Sequence, residues 1–79
     1  MTMEISNENL IEILVNSSNK EKLKNINIQE PMKNQDVDSL DLISYFFEIE
    51  KVFSIKITTD QQQKIETIDD LRKFLIKTQ

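Results

Sequence analysis

Asp38-Ser39-Leu40-Asp41-Leu42-Ile43-Ser44-Tyr45-Phe46-Phe47-Glu48-Ile49-Glu50-Lys51-Val52-Phe53 is the strongest helical pattern in the chain. It is predicted to form a helix over residues 39–52. Asp38 is a good N-cap, and Asp41, three residues later, makes an acidic variant of the capping box. The segment carries more apolar residues than one buried face needs. Leu42, Tyr45, Phe46, Ile49 and Phe53 form one stripe, and Leu40, Ile43 and Phe47 form a second on the adjoining face. One stripe is core; the other reads either as further core or as a contact surface, since small chains rarely expose contiguous apolar area without a use. Ser39 falls in the first turn, where free backbone N–H groups and the positive end of the helix dipole suit a phosphate ester. No basic residue occurs in residues 34–50.

Upstream, a first helix is expected over residues 5–16. Ser6 is its cap, Leu10, Ile11, Leu14 and Val15 its apolar face, and Glu8 and Glu12 its wetter side. It should fade in Asn16-Ser17-Ser18-Asn19, whose side chains compete for backbone hydrogen bonds. Residues 17–37 then read as a long connection. A helical turn is possible over residues 20–24, and Leu23, Ile26, Ile28 and Met32 are spaced like anchors that pin a loop to a core. Downstream, Ile55 and Ile57 flank Lys56 in a short extended segment. Thr58-Thr59-Asp60 offers a cap for a short third helix through Gln61 to Lys64. In the last helix Thr67 is the cap, Asp70 completes the box, and Ile68, Leu71, Phe74 and Leu75 share a face, with Lys73 and Lys77 near the C-terminal end.

Composition narrows the function. Seventy-nine residues allow one small core and no roomy active site beside it, so the expectation is one domain over residues 1–79. The chain has no His, no Cys and no Gly. This removes zinc sites built on those ligands, Cys–His and Ser-His-Asp nucleophiles, disulfides, and glycine-rich phosphate loops. The reading is therefore not an enzyme, with no metal site and no catalytic residue. A net charge of −4 opposes nucleic-acid binding. No apolar run reaches membrane-spanning length and residues 1–16 lack the pattern of a signal peptide, so a cytoplasmic monomer with no membrane insertion is expected.

From Asp36 to Leu75 the chain resembles the acyl carrier proteins. After Asp38-Ser39-Leu40-Asp41 that family has a mainly apolar and acidic helix ending near a phenylalanine, as in Glu48-Ile49-Glu50-Lys51-Val52-Phe53. An isoleucine-x-isoleucine linker follows, matched by Ile55-Lys56-Ile57. A short helix ending in Lys-Ile and a Thr-Val or Thr-Ile start to the last helix are matched by Lys64-Ile65 and Thr67-Ile68. Residues 1–35 resemble the family in pattern and length only. The tripeptide alone is weak evidence; the motif with this ordered tail is specific.

The resemblance implies an all-α fold: a small four-helix bundle with a long first loop closed by apolar plugs and a short third helix. It also implies a phosphopantetheine arm esterified to Ser39, flanked by Asp38 and Leu40, carrying acyl groups as thioesters in fatty-acid, polyketide or specialised acyl biosynthesis. The implied partners are a phosphopantetheinyl transferase (a holo-acyl-carrier-protein synthase) and acyl-loading ligases or synthases. These would meet a surface made of Asp36, Asp41, Ile43, Phe47, Glu48 and Glu50. The chain departs from the family in three places. Asp36 stands where a glycine is usual. Ser44 and Lys51 stand where fatty-acid carriers tend to have glutamate. Tyr45, Phe46 and Phe47 are bulkier than the usual aliphatic residues and would shrink an internal acyl cavity. A specialised pathway fits these differences at least as well as a housekeeping one. Two other readings stay open: an aminoacyl or peptidyl carrier of the same fold, and an unmodified helical interaction module.

Overall fold

Three residues with left-handed backbone, in a chain without glycine, mark where its helices start and stop: Asn19 (φ 61°), Asp36 (φ 73°) and Ser54 (φ 54°). A residue with a Cβ pays roughly 1–2 kcal/mol for that conformation, least for Asn and Asp, so packing elsewhere must hold each bend. The computed structural model describes residues 4–78, and the ends of the expected domain lie outside them. Four α-helices occur among the described residues: α1 Asn7–Ser18, α2 Ser39–Phe53, α3 Thr59–Lys64 and α4 Ile68–Thr78. Two 3₁₀ turns, Glu21–Asn25 and Met32–Gln35, lie in the long connection. No strand occurs among the described residues. The expected all-α architecture, with its long first loop and short third helix, is what the chain forms.

α1 is capped as read: the Ser6 hydroxyl accepts from the Asn9 N–H. It continues past residue 16, where an end was expected. The Ser17 and Ser18 hydroxyls donate back to the Leu14 carbonyl at 3.3 and 2.7 Å, so they bond within the helix instead of unwinding it. The helix stops at left-handed Asn19, whose N–H donates to the Val15 carbonyl. α3 starts at Thr59, two residues ahead of the expected Gln61, with Thr58 and Gln61 forming a full capping box. At the head of α4, Thr67 and Asp70 exchange bonds as the spacing predicts.

The core gathers Leu10, Ile13 and Leu14 from α1, Tyr45, Phe46, Ile49 and Phe53 from α2, and Ile68, Leu71 and Leu75 from α4. α1 packs on both α2 and α4. Leu23, Ile26 and Met32 are buried beneath the long loop as the expected anchors, while Ile28 is half-buried. Val37 and Ile13, which the sequence reading left out, are buried too. The loop is also fastened by polar contacts. The Met32 N–H donates to the Glu66 carbonyl (2.8 Å) and the Asp69 N–H to the Ile28 carbonyl (3.0 Å). The Gln35 amide bridges the loop, donating to the Asn27 and Glu30 carbonyls and accepting from the Asn27 N–H.

Candidate functional site

Ser39 is the first residue of α2 and is exposed to solvent. Its placement follows from the residues around it. Buried Val37 anchors the turn, and left-handed Asp36 reverses the chain ahead of it. Asp38 then caps the helix: its carboxylate accepts from the Asp41 N–H (2.9 Å), and the Asp41 carboxylate accepts from the Asp38 N–H (3.2 Å). The first N–H groups of a helix have no partner within it. With that of Asp41 taken by the cap, those of Ser39 and Leu40 face solvent beside the Ser39 hydroxyl. An anionic ester on Ser39 would meet two backbone donors and the positive end of a 15-residue helix.

A groove of about 420 Å³ opens beside Ser39, between the start of α2 and α3. Leu42, Ile43, Phe46 and Ile65 supply apolar walls, and Lys33, Gln62 and Glu66 lie among its polar residues. A pantetheine arm has both characters, with amides along an aliphatic chain, so these residues fit it. Tyr45 and Phe46 fill the interior behind the groove, as their bulk suggested; Tyr45 is fully buried and its hydroxyl donates to the Leu10 carbonyl (2.8 Å). Phe47 was expected to narrow that interior as well and does not. It points outward, 59% exposed, with the Lys51 ammonium 5.2 Å from its ring centre.

The second apolar stripe of α2 is surface. Leu40 and Ile43 are 75% and 62% exposed, which with Phe47 rules out further core.

The acidic surface differs from its reading in sequence. Residues 34–50 contain no cation, yet cations reach them through space. Lys20 binds the Asp41 carboxylate (2.5 Å) and the Asp36 carbonyl (2.9 Å), and Lys22 pairs with the Asp36 carboxylate. Glu48 pairs with Lys51 at 3.2 Å, and Glu50 accepts from the Ile57 N–H at 2.8 Å. The hydrogen bond from Lys22 holds the Asp36 carboxyl below its ordinary range, and that from Lys20 does the same for Asp41. The Asp41 contact in turn raises the Lys20 ammonium. Each of the four carboxylates expected to face a partner therefore has a partner inside the chain. Local sequence could not reveal the pairing of Asp36 and Asp41, because Lys20 and Lys22 precede the motif by more than a dozen residues. No group of His, Cys, Asp or Glu suited to a metal ion occurs among the described residues. Nor does any described helix have the length and apolarity to cross a membrane.

A family model described as the phosphopantetheine attachment site matches residues 10–75. The acyl carrier protein of Brachyspira hyodysenteriae strain WA1 is 42% identical over 38 residues, covering 48% of this chain and 49% of that protein. An acyl carrier protein from the same species gives the same figures. The chain spans about half the length of the curated relatives it matches. The family model covers most of the chain, and the chain belongs to the phosphopantetheine attachment-site family.

Proposed function

We propose, from that membership, that Ser39 is the attachment point and that the chain is an acyl carrier protein. The observation that carries the reading is the exposed Ser39 hydroxyl on a capped helix N-terminus, beside a groove of mixed polarity. When bound, phosphopantetheine supplies a terminal thiol on which acyl groups are held as thioesters. The chain's own part is presentation. Asp38 fixes the first turn, so that Ser39 Oγ can attack the phosphorus of coenzyme A with adenosine bisphosphate as the leaving group. The hydroxyl proton passes to a base on a phosphopantetheinyl transferase. The Ser39 and Leu40 N–H groups then face the phosphodiester oxygens, and Asp38 and Leu40 flank the modified residue.

The proposal extends to one cytoplasmic, monomeric carrier domain with no catalysis of its own. It would serve fatty-acid, polyketide or specialised acyl biosynthesis and be loaded by a dedicated ligase or synthase. Leu40, Ile43 and Phe47 would form the contact with such enzymes, and Asp36, Asp41, Glu48 and Glu50 would border it; the exposure of the apolar stripe supports this. Incubating the chain with coenzyme A and a broad-specificity transferase tests the assignment by intact mass. One phosphopantetheine should add to the wild type and none to Ser39→Ala with its helical spectrum intact. Undiminished labelling of the alanine variant would refute it.

A further inference from the structure

Lys20 lies outside the Asp38-Ser39-Leu40-Asp41 motif, yet it touches the attachment turn on both sides of Ser39. Its ammonium donates to the Asp36 carbonyl at 2.9 Å, three residues before the serine, and to the Asp41 carboxylate at 2.5 Å, two residues after it. The same Asp41 oxygen accepts from the Asp38 N–H, so the ammonium extends the capping box. Lys20 is itself fixed at the root. It follows left-handed Asn19, and its N–H donates to the Ser18 hydroxyl at 3.3 Å. The lysine thus runs from the end of α1 to the start of α2, across a turn whose Asp36 has a left-handed backbone without being glycine. Its side chain is 29% exposed and that of Asp41 15%, so the contact is better shielded than the Lys22–Asp36 pair at 68% and 55%.

We propose that Lys20 is a positioning residue for modification of Ser39: a brace that holds the attachment turn in one geometry and offsets the Asp41 charge beside the incoming phosphodiester. This rests on Ser39 being the attachment point. Both effects act when Ser39 Oγ is aligned with phosphorus, and neither adds to the exposed α2 surface that a transferase would grip. Loss of the brace should therefore fall on kcat and spare KM.

The test uses the full apo chain, a phosphopantetheinyl transferase and coenzyme A, with kcat and KM measured separately. Lys20→Met, which keeps length and removes charge, should lower kcat about tenfold with KM changed by less than about twofold. Lys20→Arg should recover part of the loss, since a guanidinium can donate to both oxygens. Lys22→Met should match the wild type, because its ion pair is largely solvated. Hydrogen exchange on the unmodified chain gives a second measure. The Asp41 and Leu42 amides, which donate to Asp38, should exchange faster in Lys20→Met while the α4 amides stay protected. If α4 protection is also lost, Lys20→Gln, which keeps a polar side chain without the charge, replaces it as the variant that weakens the brace, and it must show a loss in kcat. Unchanged kcat with unchanged exchange would overturn the proposal. So would a fall in KM with kcat unchanged, which would mean that Lys20 only masks Asp41 from the transferase. If the wild type accepts no phosphopantetheine, the assignment of Ser39 fails instead, while exchange at Asp41 and Leu42 still decides whether the brace exists.

Discussion

Replacing Tyr45 by phenylalanine removes a single oxygen from the centre of the molecule, and its effect should reverse sign with pH. Tyr45 is fully buried and donates to the Leu10 carbonyl at 2.8 Å. That carbonyl lies within α1 and keeps its helical bond, so the substitution leaves no orphaned acceptor. The expected cost at neutral pH is then that of one net hydrogen bond, about 1 kcal/mol, or a fall in Tm of about 4–8 °C for a chain of this size. In alkali the balance changes. Burial pushes the Tyr45 phenol far above its ordinary value, so the folded chain keeps a proton that the unfolded chain releases above about pH 10. The unfolded state then binds fewer protons, and stability falls by about 1.4 kcal/mol per pH unit from this group alone. Phenylalanine escapes that loss. The cost of about 1 kcal/mol is overtaken within about one pH unit, and the variant becomes the more stable protein above about pH 11.

Thermal melts followed by the helical circular-dichroism signal, from neutral to about pH 12, should give two stability curves that cross there. Tyr45 is the chain's one tyrosine, so phenolate absorbance reports it without interference. That absorbance should rise only as the helical signal is lost. A phenolate midpoint near pH 10 with the helices intact would show Tyr45 to be solvated and refute the reasoning. Parallel melting curves would do the same.

Phe53→Ala, at the buried end of α2, should cost about 3–5 kcal/mol by denaturant unfolding, a large part of a small domain's stability. Phe47→Ala should change stability by less than about 0.5 kcal/mol, since the ring is exposed, but should shorten the lifetime of a transferase complex measured by surface binding. Asp41→Asn should flatten the acid limb of the stability curve. The Asp41 carboxyl is held low by Lys20, so its contribution is complete above about pH 4 and is lost as the pH falls through the depressed folded value. Melts between pH 6 and pH 2 on the wild type and the variant check the difference in slope.

What the sequence made legible was whatever depends on neighbours along the chain. The caps Ser6, Asp38, Thr58 and Thr67 each follow from a side chain reaching three residues ahead, and all four make the expected bonds. The inner stripe of α2 follows from helical period, and Phe46, Ile49 and Phe53 are buried where it places them. Boundaries were less legible when a side chain had two options. Ser17 and Ser18 have the same chemistry whether they break a helix or bond back into it, and the packing of Leu14 beneath them favours the second. The apolar anchors of the long loop could be read from spacing, but its polar fastening by Gln35 could not. That amide reaches residues five and eight positions away, with no period to announce it.

The charge of the α2 surface shows the same limit with more consequence for function. A run of seventeen residues without a cation reads as a strongly acidic face, because a sequence displays charges only in order. In space Lys20, Lys22 and Lys51 each sit against one of its carboxylates, and Glu50 is engaged by a backbone donor. A cation of the chain stands beside each of Asp36, Asp41 and Glu48, so the field a basic partner meets there is weaker than the carboxylates alone would set up. In the Leu40–Ile43–Phe47 stripe the one competing cation among the described contacts is the Lys51 ammonium over the Phe47 ring. The stripe's apolar area is already in water and gains on burial in proportion to what a partner covers. A transferase complex built on this helix should therefore take its affinity chiefly from the stripe. Its salt dependence should be shallower than the acidic run implies, because Asp36, Asp41 and Glu48 already have their counter-charges within the fold.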